Sequence, residues 1–133
     1  MVNENRVPHA LMLFGPPGTG KRSLGLAMAQ YLACASRQEH DSCGVCPSCV
    51  KFGKLVHPDL HFVVPTLTSQ RVSKDPTTEL YMADWRSAFE ENPYLSENQW
   101  YESVGAENKQ GIINVRESEG IIKKLGFKPV SYT

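Results

Sequence analysis

The sequence predicts an α/β fold built on parallel strands, on three observations. Ala10-Leu11-Met12-Leu13-Phe14 is an unbroken apolar run, the pattern of a strand buried on both faces of a parallel sheet. A loop rich in glycine and proline follows, Gly15 to Gly20, and then a helical period. There Leu24, Met28 and Tyr31 recur at i, i+4 and i+7, with Ala27 and Leu32 widening the stripe. Further on, Leu60-His61-Phe62-Val63-Val64 reads as a second strand, opened by the turn residues His57-Pro58-Asp59 and ended by Pro65. Strand, loop, helix, excursion and strand make a βαβ unit, whose crossover is expected to be right-handed. Gly25 inside the helix costs roughly 1 kcal/mol against alanine, which close packing on the sheet offsets.

Composition narrows the class. The chain has 133 residues, 41% hydrophobic and 21% charged, which is ordinary globular material for one domain. Formal net charge is zero, so any contact with nucleic acid must be local or made by partners. No apolar run is long enough for a membrane span. Arg6, Pro8 and His9 interrupt the start before a signal-peptide core develops. The expectation is a cytoplasmic protein without a membrane partner. Val7-Pro8-His9 leads at once into a buried strand, and a helix ending near Leu125 is followed only by residues 126–133. A parallel sheet needs another strand there, so the chain reads as an incomplete piece of a larger protein. Val130-Ser131-Tyr132-Thr133 resembles a translated sequencing adapter.

Residues 66 to about 110 depart from the βαβ pattern and read as a helical insertion. Asp75-Pro76 is a helix start with proline at the first helical position. Tyr81, Trp85 and Phe89 recur every four residues and predict one aromatic face, which Asn92-Pro93 terminates. Ser96-Glu97-Asn98-Gln99 fits a capping box for a second short helix ending near Gly105. A last amphipathic helix is expected from about Val115 to Leu125, with Ile121, Ile122 and Leu125 inward.

Gly15-Pro16-Pro17-Gly18-Thr19-Gly20-Lys21 matches the first seven positions of G-x-x-x-x-G-K-[ST]. The glycines let the backbone curl so that successive N–H groups face phosphate oxygens. The helix that follows offers its N-terminus to the same anion, and Lys21 is placed to reach the β- and γ-phosphates. The eighth position fails: Arg22 stands where a Ser or Thr hydroxyl ligates Mg²⁺. Guanidinium has no acceptor atom, and Ser23 is one residue too late. The loop is therefore expected to hold a nucleotide or another anion, with Arg22 holding phosphate or its charge occupying the cation's place, and without Mg²⁺-dependent hydrolysis. No catalytic residue is assigned.

All four cysteines fall in one stretch, Cys34-x₈-Cys43-x₂-Cys46-x₂-Cys49. Two C-x₂-C steps let thiolates converge on one ion, with Gly44 and Pro47 supplying turns. Cys34, at the end of the preceding helix, closes a tetrahedral set, and a filled Cys₄ shell has no open position, so structural zinc is expected. Four cysteines could also pair in three ways, but neighbours in C-x₂-C make poor structural bridges. His40 and His57 lie nearby as surface or turn residues.

A phosphate loop, one helix and then this cysteine spacing resembles the AAA+ clamp-loader family of bacterial DNA polymerase III. Pro8-His9-Ala10 and His57-Pro58-Asp59 are similar to the family's segments at those places. The resemblance covers residues 1–65 closely and about 106–128 loosely. It implies a partial AAA+ phosphate-loop domain over 1–133, with a zinc knuckle at 34–49 and the helical insertion at about 66–110. The run Gly105 to Gly111 is similar to delta′ forms that carry extra helices. Lys21-Arg22 points to the delta′ branch, a fixed arm of the loader, because the gamma/tau motors keep Thr after the lysine. By the same implication the partners are gamma/tau and delta, and through the complex the sliding clamp and primed DNA. Two other readings stand beside it: an ATP-hydrolysing motor of the gamma/tau kind, and a phosphate-loop kinase with a zinc-bearing lid. The kinase is disfavoured because its cysteines form two separated pairs far from the loop.

Overall fold

The computed structural model of the chain describes residues 6–70, 72, 74–105 and 110–126. Its elements, in order, are helices α1 (Lys21–Ala33) and α2 (Pro47–Gly53), a 3₁₀ turn (Thr78–Tyr81), and helices α3 (Met82–Glu91), α4 (Glu97–Ser103) and α5 (Val115–Leu125). No helix is long and apolar enough to cross a membrane among the described residues.

The core is built on the 66–110 segment rather than on a sheet. Tyr81, Trp85 and Phe89 are all buried, together with Leu55, Val64, Leu67, Leu95, Trp100 and Tyr101. The four-residue spacing put those three rings on one face of the 3₁₀ turn and α3, as the period predicts. Trp85 and Trp100 meet edge to face with centroids 5.4 Å apart, and Tyr81 meets Trp100 the same way at 6.2 Å. The polar ends of Trp100 and Tyr81 are tied to the chain that follows the second apolar run. Trp100 Nε1 donates to Pro65 O at 2.9 Å and the Tyr81 hydroxyl donates to Leu67 O at 2.7 Å.

Local signals set the helix ends. Ser96 caps α4, with its hydroxyl accepting from Gln99 N–H and the Gln99 side chain accepting from Ser96 N–H. Asn92 ends α3 ahead of Pro93. Pro76 does not open the preceding helix as expected. Asp75 takes a positive φ of 48° and the chain turns helical only from Thr78. Buried Glu117 of α5 accounts for the new boundary, because its carboxylate accepts from the Thr78 N–H and, at 2.6 Å, from the Thr78 hydroxyl. That carboxylate supplies the helix-start acceptor that no local side chain supplies.

Three further expectations are corrected. Neither apolar run forms a strand, and among the described residues the one ladder contact is an antiparallel bridge between Thr66 and Ile112. A strand requires a neighbour for its N–H and C=O groups. Here residues of both runs, Leu11 and Leu13 of the first and Leu60, His61 and Phe62 of the second, line one cavity of about 590 Å³. Met12 and Phe14 are consequently 82% and 88% exposed. On α1, Met28, Tyr31 and Leu32 are half-buried and Leu26 packs against the core, while Leu24 and Ala27, expected in the stripe, are exposed. On α5, Ile121 is half-buried beside Glu117 as expected, whereas Ile122 and Leu125 face outward. The readings that fall on residues 106–109 and 130–133 lie outside the described residues.

Candidate phosphate loop and metal centre

The two candidate sites lie at the two ends of α1. At the N-terminal end the loop turns through Gly18 and Gly20, whose φ values of 80° and 82° place them in the left-handed region that favours glycine. Gly20 is the N-cap of α1 and supplies no side-chain acceptor, and the first turn has no acidic residue. Lys21 and Arg22 open that turn instead. Unsatisfied N–H groups, a positive helix end and a lysine make this end chemically suited to an anion.

The loop is held by its own groups. Lys21 Nζ donates to Gly15 O at 2.8 Å and to Pro16 O at 3.1 Å, and Thr19 Oγ1 donates to Pro16 O at 2.9 Å. Gly15, Pro16, Pro17, Gly18, Thr19, Gly20 and Lys21 are thus brought into one tight turn. Arg22 departs from what was expected of it. Its Nη2 donates to Leu95 O at 2.6 Å and its Cζ lies 5.1 Å from the centre of the Trp85 ring. Burial lowers its pKa. The charge expected in the cation's place is committed to the turn between α3 and α4. Ser23 Oγ, the next hydroxyl along, is buried without a hydrogen-bond partner among the described residues.

At the other end Cys34 is the C-cap of α1. Gly44 turns the chain with a φ of 75°. Cys46 is the N-cap of α2, Pro47 is its first residue, and Cys49 lies one turn into it. The Sγ atoms of Cys34, Cys43, Cys46 and Cys49 all lie within 4.8 Å of one another. Cys43 and Cys49 are 3.9 Å apart, and Cys46 and Cys34 are 4.0 Å apart. A tetrahedron with Zn–S bonds of about 2.3 Å has S···S edges of about 3.8 Å, so the four thiols fit that ion with little movement.

Electrostatics prepare the thiols unequally. Cys43 N–H donates to Cys34 Sγ and Cys46 N–H donates to Cys43 Sγ, each at 3.3 Å. Backbone N–H groups of Ala35 and Cys49 bring the Cys46 thiol down to about 6, whereas burial pushes Cys49 up to about 11. At Cys34 burial raises the pKa, but the N–H groups of Cys43 and Ser36 outweigh it and the net direction is down. His57 is buried outside the thiol cluster. Its Nδ1 accepts from Asp59 N–H at 3.1 Å and its ring lies 4.6 Å from that of Phe52. His40 is exposed beside Glu39.

Two features had no signature in the sequence. Arg22 meets Leu95 across 73 positions of chain, and the Tyr94 ring covers Gly20, coming within 3.1 Å of where a Cβ would stand. No period or motif connects such distant residues.

A protein family described as DNA polymerase III, delta subunit, matches residues 1–122. The chain is 33% identical over 72 residues to the DNA polymerase III subunit delta′ of Escherichia coli K12, covering 54% of this chain and 22% of that protein. It is 40% identical over 57 residues to the delta′ subunit of Yersinia pestis, covering 43% of this chain and 17% of that protein. Over 49 residues it is 41% identical to the gamma/tau subunit of Mycobacterium bovis, covering 37% and 8%. The chain therefore spans about a fifth of the delta′ relatives it matches. No solved structure matches it.

Proposed function

Because the chain belongs to the family described as DNA polymerase III, delta subunit, we propose that it is the phosphate-loop portion of a clamp-loader arm of the delta′ kind. The whole protein joins gamma/tau and delta subunits in the cytoplasm and helps place the sliding clamp on primed DNA. Within it, residues 1–133 are a partial AAA+ domain, residues 34–49 a zinc knuckle and residues 66 to about 110 a helical insertion.

The observation that carries this reading is the convergence of four thiols one helix after a phosphate loop. Zinc held by Cys34, Cys43, Cys46 and Cys49 leaves no open coordination position, so it fixes the end of α1 to α2 and does no chemistry. Gly15 to Lys21 hold the phosphates of a nucleotide. Arg22 offers Mg²⁺ no oxygen, and a magnesium ion bridging the phosphates is what such loops use to neutralise charge as the γ-phosphoryl group leaves. Arg22 belongs to the site only as its neighbour, since its guanidinium is engaged by Leu95 and Trp85. The arm thus binds without turning over.

Reconstitution tests the assignment. Gamma/tau, delta, the sliding clamp and primed DNA are assembled with and without the whole protein, and clamp deposition is measured. Deposition that depends on the protein is expected; deposition indifferent to it contradicts the assignment.

A further inference from the structure

Arg22 stands where a phosphate loop carries its magnesium hydroxyl, and its side chain has found a different partner. Nη2 donates to the Leu95 carbonyl at 2.6 Å, and the guanidinium lies over the Trp85 ring at 5.1 Å. Leu95 and Trp85 are both buried in the aromatic core. Leu95 directly precedes Ser96, the N-cap of α4, so Arg22 grips the turn that joins α3 to α4. One residue earlier, the exposed ring of Tyr94 rests against Gly20. The same cavity is lined by Pro17 to Arg22 from the loop side and by residues 93–97 from the turn side.

We propose that Arg22 is a positioning residue that latches the 93–97 turn over the phosphate loop, making that turn a wall of the anion cavity, so that anion occupancy and seating of the turn are coupled. Arginine suits the task and lysine does not. A planar guanidinium can donate in its plane to a carbonyl while its face stacks on an indole, whereas a tetrahedral ammonium has no face to stack. Tyr94 reaches Gly20 only because that residue has no side chain, so the loop's glycine serves the cover as well as the cradle. The latch is a matter of geometry and is independent of what the loop holds. The coupling rests on the reading of the loop as an anion cradle.

Hydrogen exchange on the whole subunit separates the two. Arg22→Ala is expected to speed exchange of the amides at 94–97 by roughly tenfold while leaving those at 43–49 unchanged, and Arg22→Lys should recover only part of the protection. Tripolyphosphate without magnesium is the probe for the cavity. It should slow exchange at 18–21 in every variant and at 94–97 only where Arg22 is present. Tyr94→Ala, a change at an exposed ring, is expected to speed exchange at 18–21 and keeps the test decisive should Arg22→Ala fail to fold. Unchanged exchange at 94–97 in Arg22→Ala, or at 18–21 in Tyr94→Ala, overturns the latch. Tripolyphosphate that protects the loop and leaves the wild-type turn untouched overturns the coupling. Failure to protect the loop at all overturns the anion reading and the coupling with it, while the latch is judged by the variants alone.

Discussion

The two ends of α1 carry the two motifs of this chain, and they are complete to different degrees. At the C-terminal end every group the chemistry asks for lies between Cys34 and Cys49, and the four Sγ atoms already converge. At the N-terminal end the cradle is formed, but Lys21 bonds to the loop's own carbonyls, the following hydroxyl is absent, and Arg22 and Gly20 depend on Leu95 and Tyr94. A site whose ligands are close in sequence is closed by local turns. A site that needs groups from distant segments is only as good as the packing that brings them.

The largest expected effect is at the closed end. Cys49→Ser removes a buried thiol of the proposed zinc set and should lower stability by several kcal/mol, because binding of such a metal is coupled to folding; thermal unfolding with and without chelator measures it. A chelator that leaves the wild-type melting temperature unchanged would erase the difference between the two ends. The next concerns the packing on which the open end leans. A Cβ at Gly111 would stand 2.8 Å from Tyr101 Cε1 and 3.2 Å from the Pro65 carbonyl carbon. Gly111→Ala should therefore cost about 1–3 kcal/mol through overpacking. It should also loosen the 94–97 turn without releasing zinc, and equal loss at both ends would break the contrast.

Smaller effects sharpen the contrast further. With zinc stripped at pH 7, Cys46 should be the first thiol alkylated, since its pKa of about 6 leaves it largely thiolate while Cys49, near 11, stays protonated. Mass spectrometry of the labelled peptide reads the order, and labelling led by Cys49 contradicts it. Restored zinc should block the reaction. Lys21→Ala removes a side chain that bonds to the exposed carbonyls of Gly15 and Pro16, so stability should change by no more than about 0.5 kcal/mol while tripolyphosphate binding is lost. Calorimetry reads both quantities.

What the sequence made legible follows the same division. Helical segments satisfy their backbone groups internally, so a period and a cap suffice. The Tyr81, Trp85 and Phe89 face, the Ser96–Gln99 box and the span Val115–Leu125 were readable for that reason. The thiol cluster was readable because its spacing is short. The runs at Ala10–Phe14 and Leu60–Val64 read as strands, yet a strand exists only with a neighbour, and composition cannot supply one. The side of α5 that turns inward was decided by Glu117 reaching Thr78, a polar contact that outweighed the apolar residues Ile122 and Leu125. Arg22 was legible as a departure from the motif, but its use was not, since Leu95 lies 73 positions away.

The central claim is that the loop at the open end binds and does not turn over. Steady-state ATP hydrolysis by the loader assembled with the whole subunit tests it most directly, comparing wild type with Lys21→Ala at this subunit alone. The account predicts the same turnover in both, because Arg22 leaves magnesium without its protein hydroxyl at this loop. A large fall in hydrolysis that traces to this subunit's own site would contradict it and make the chain part of a motor.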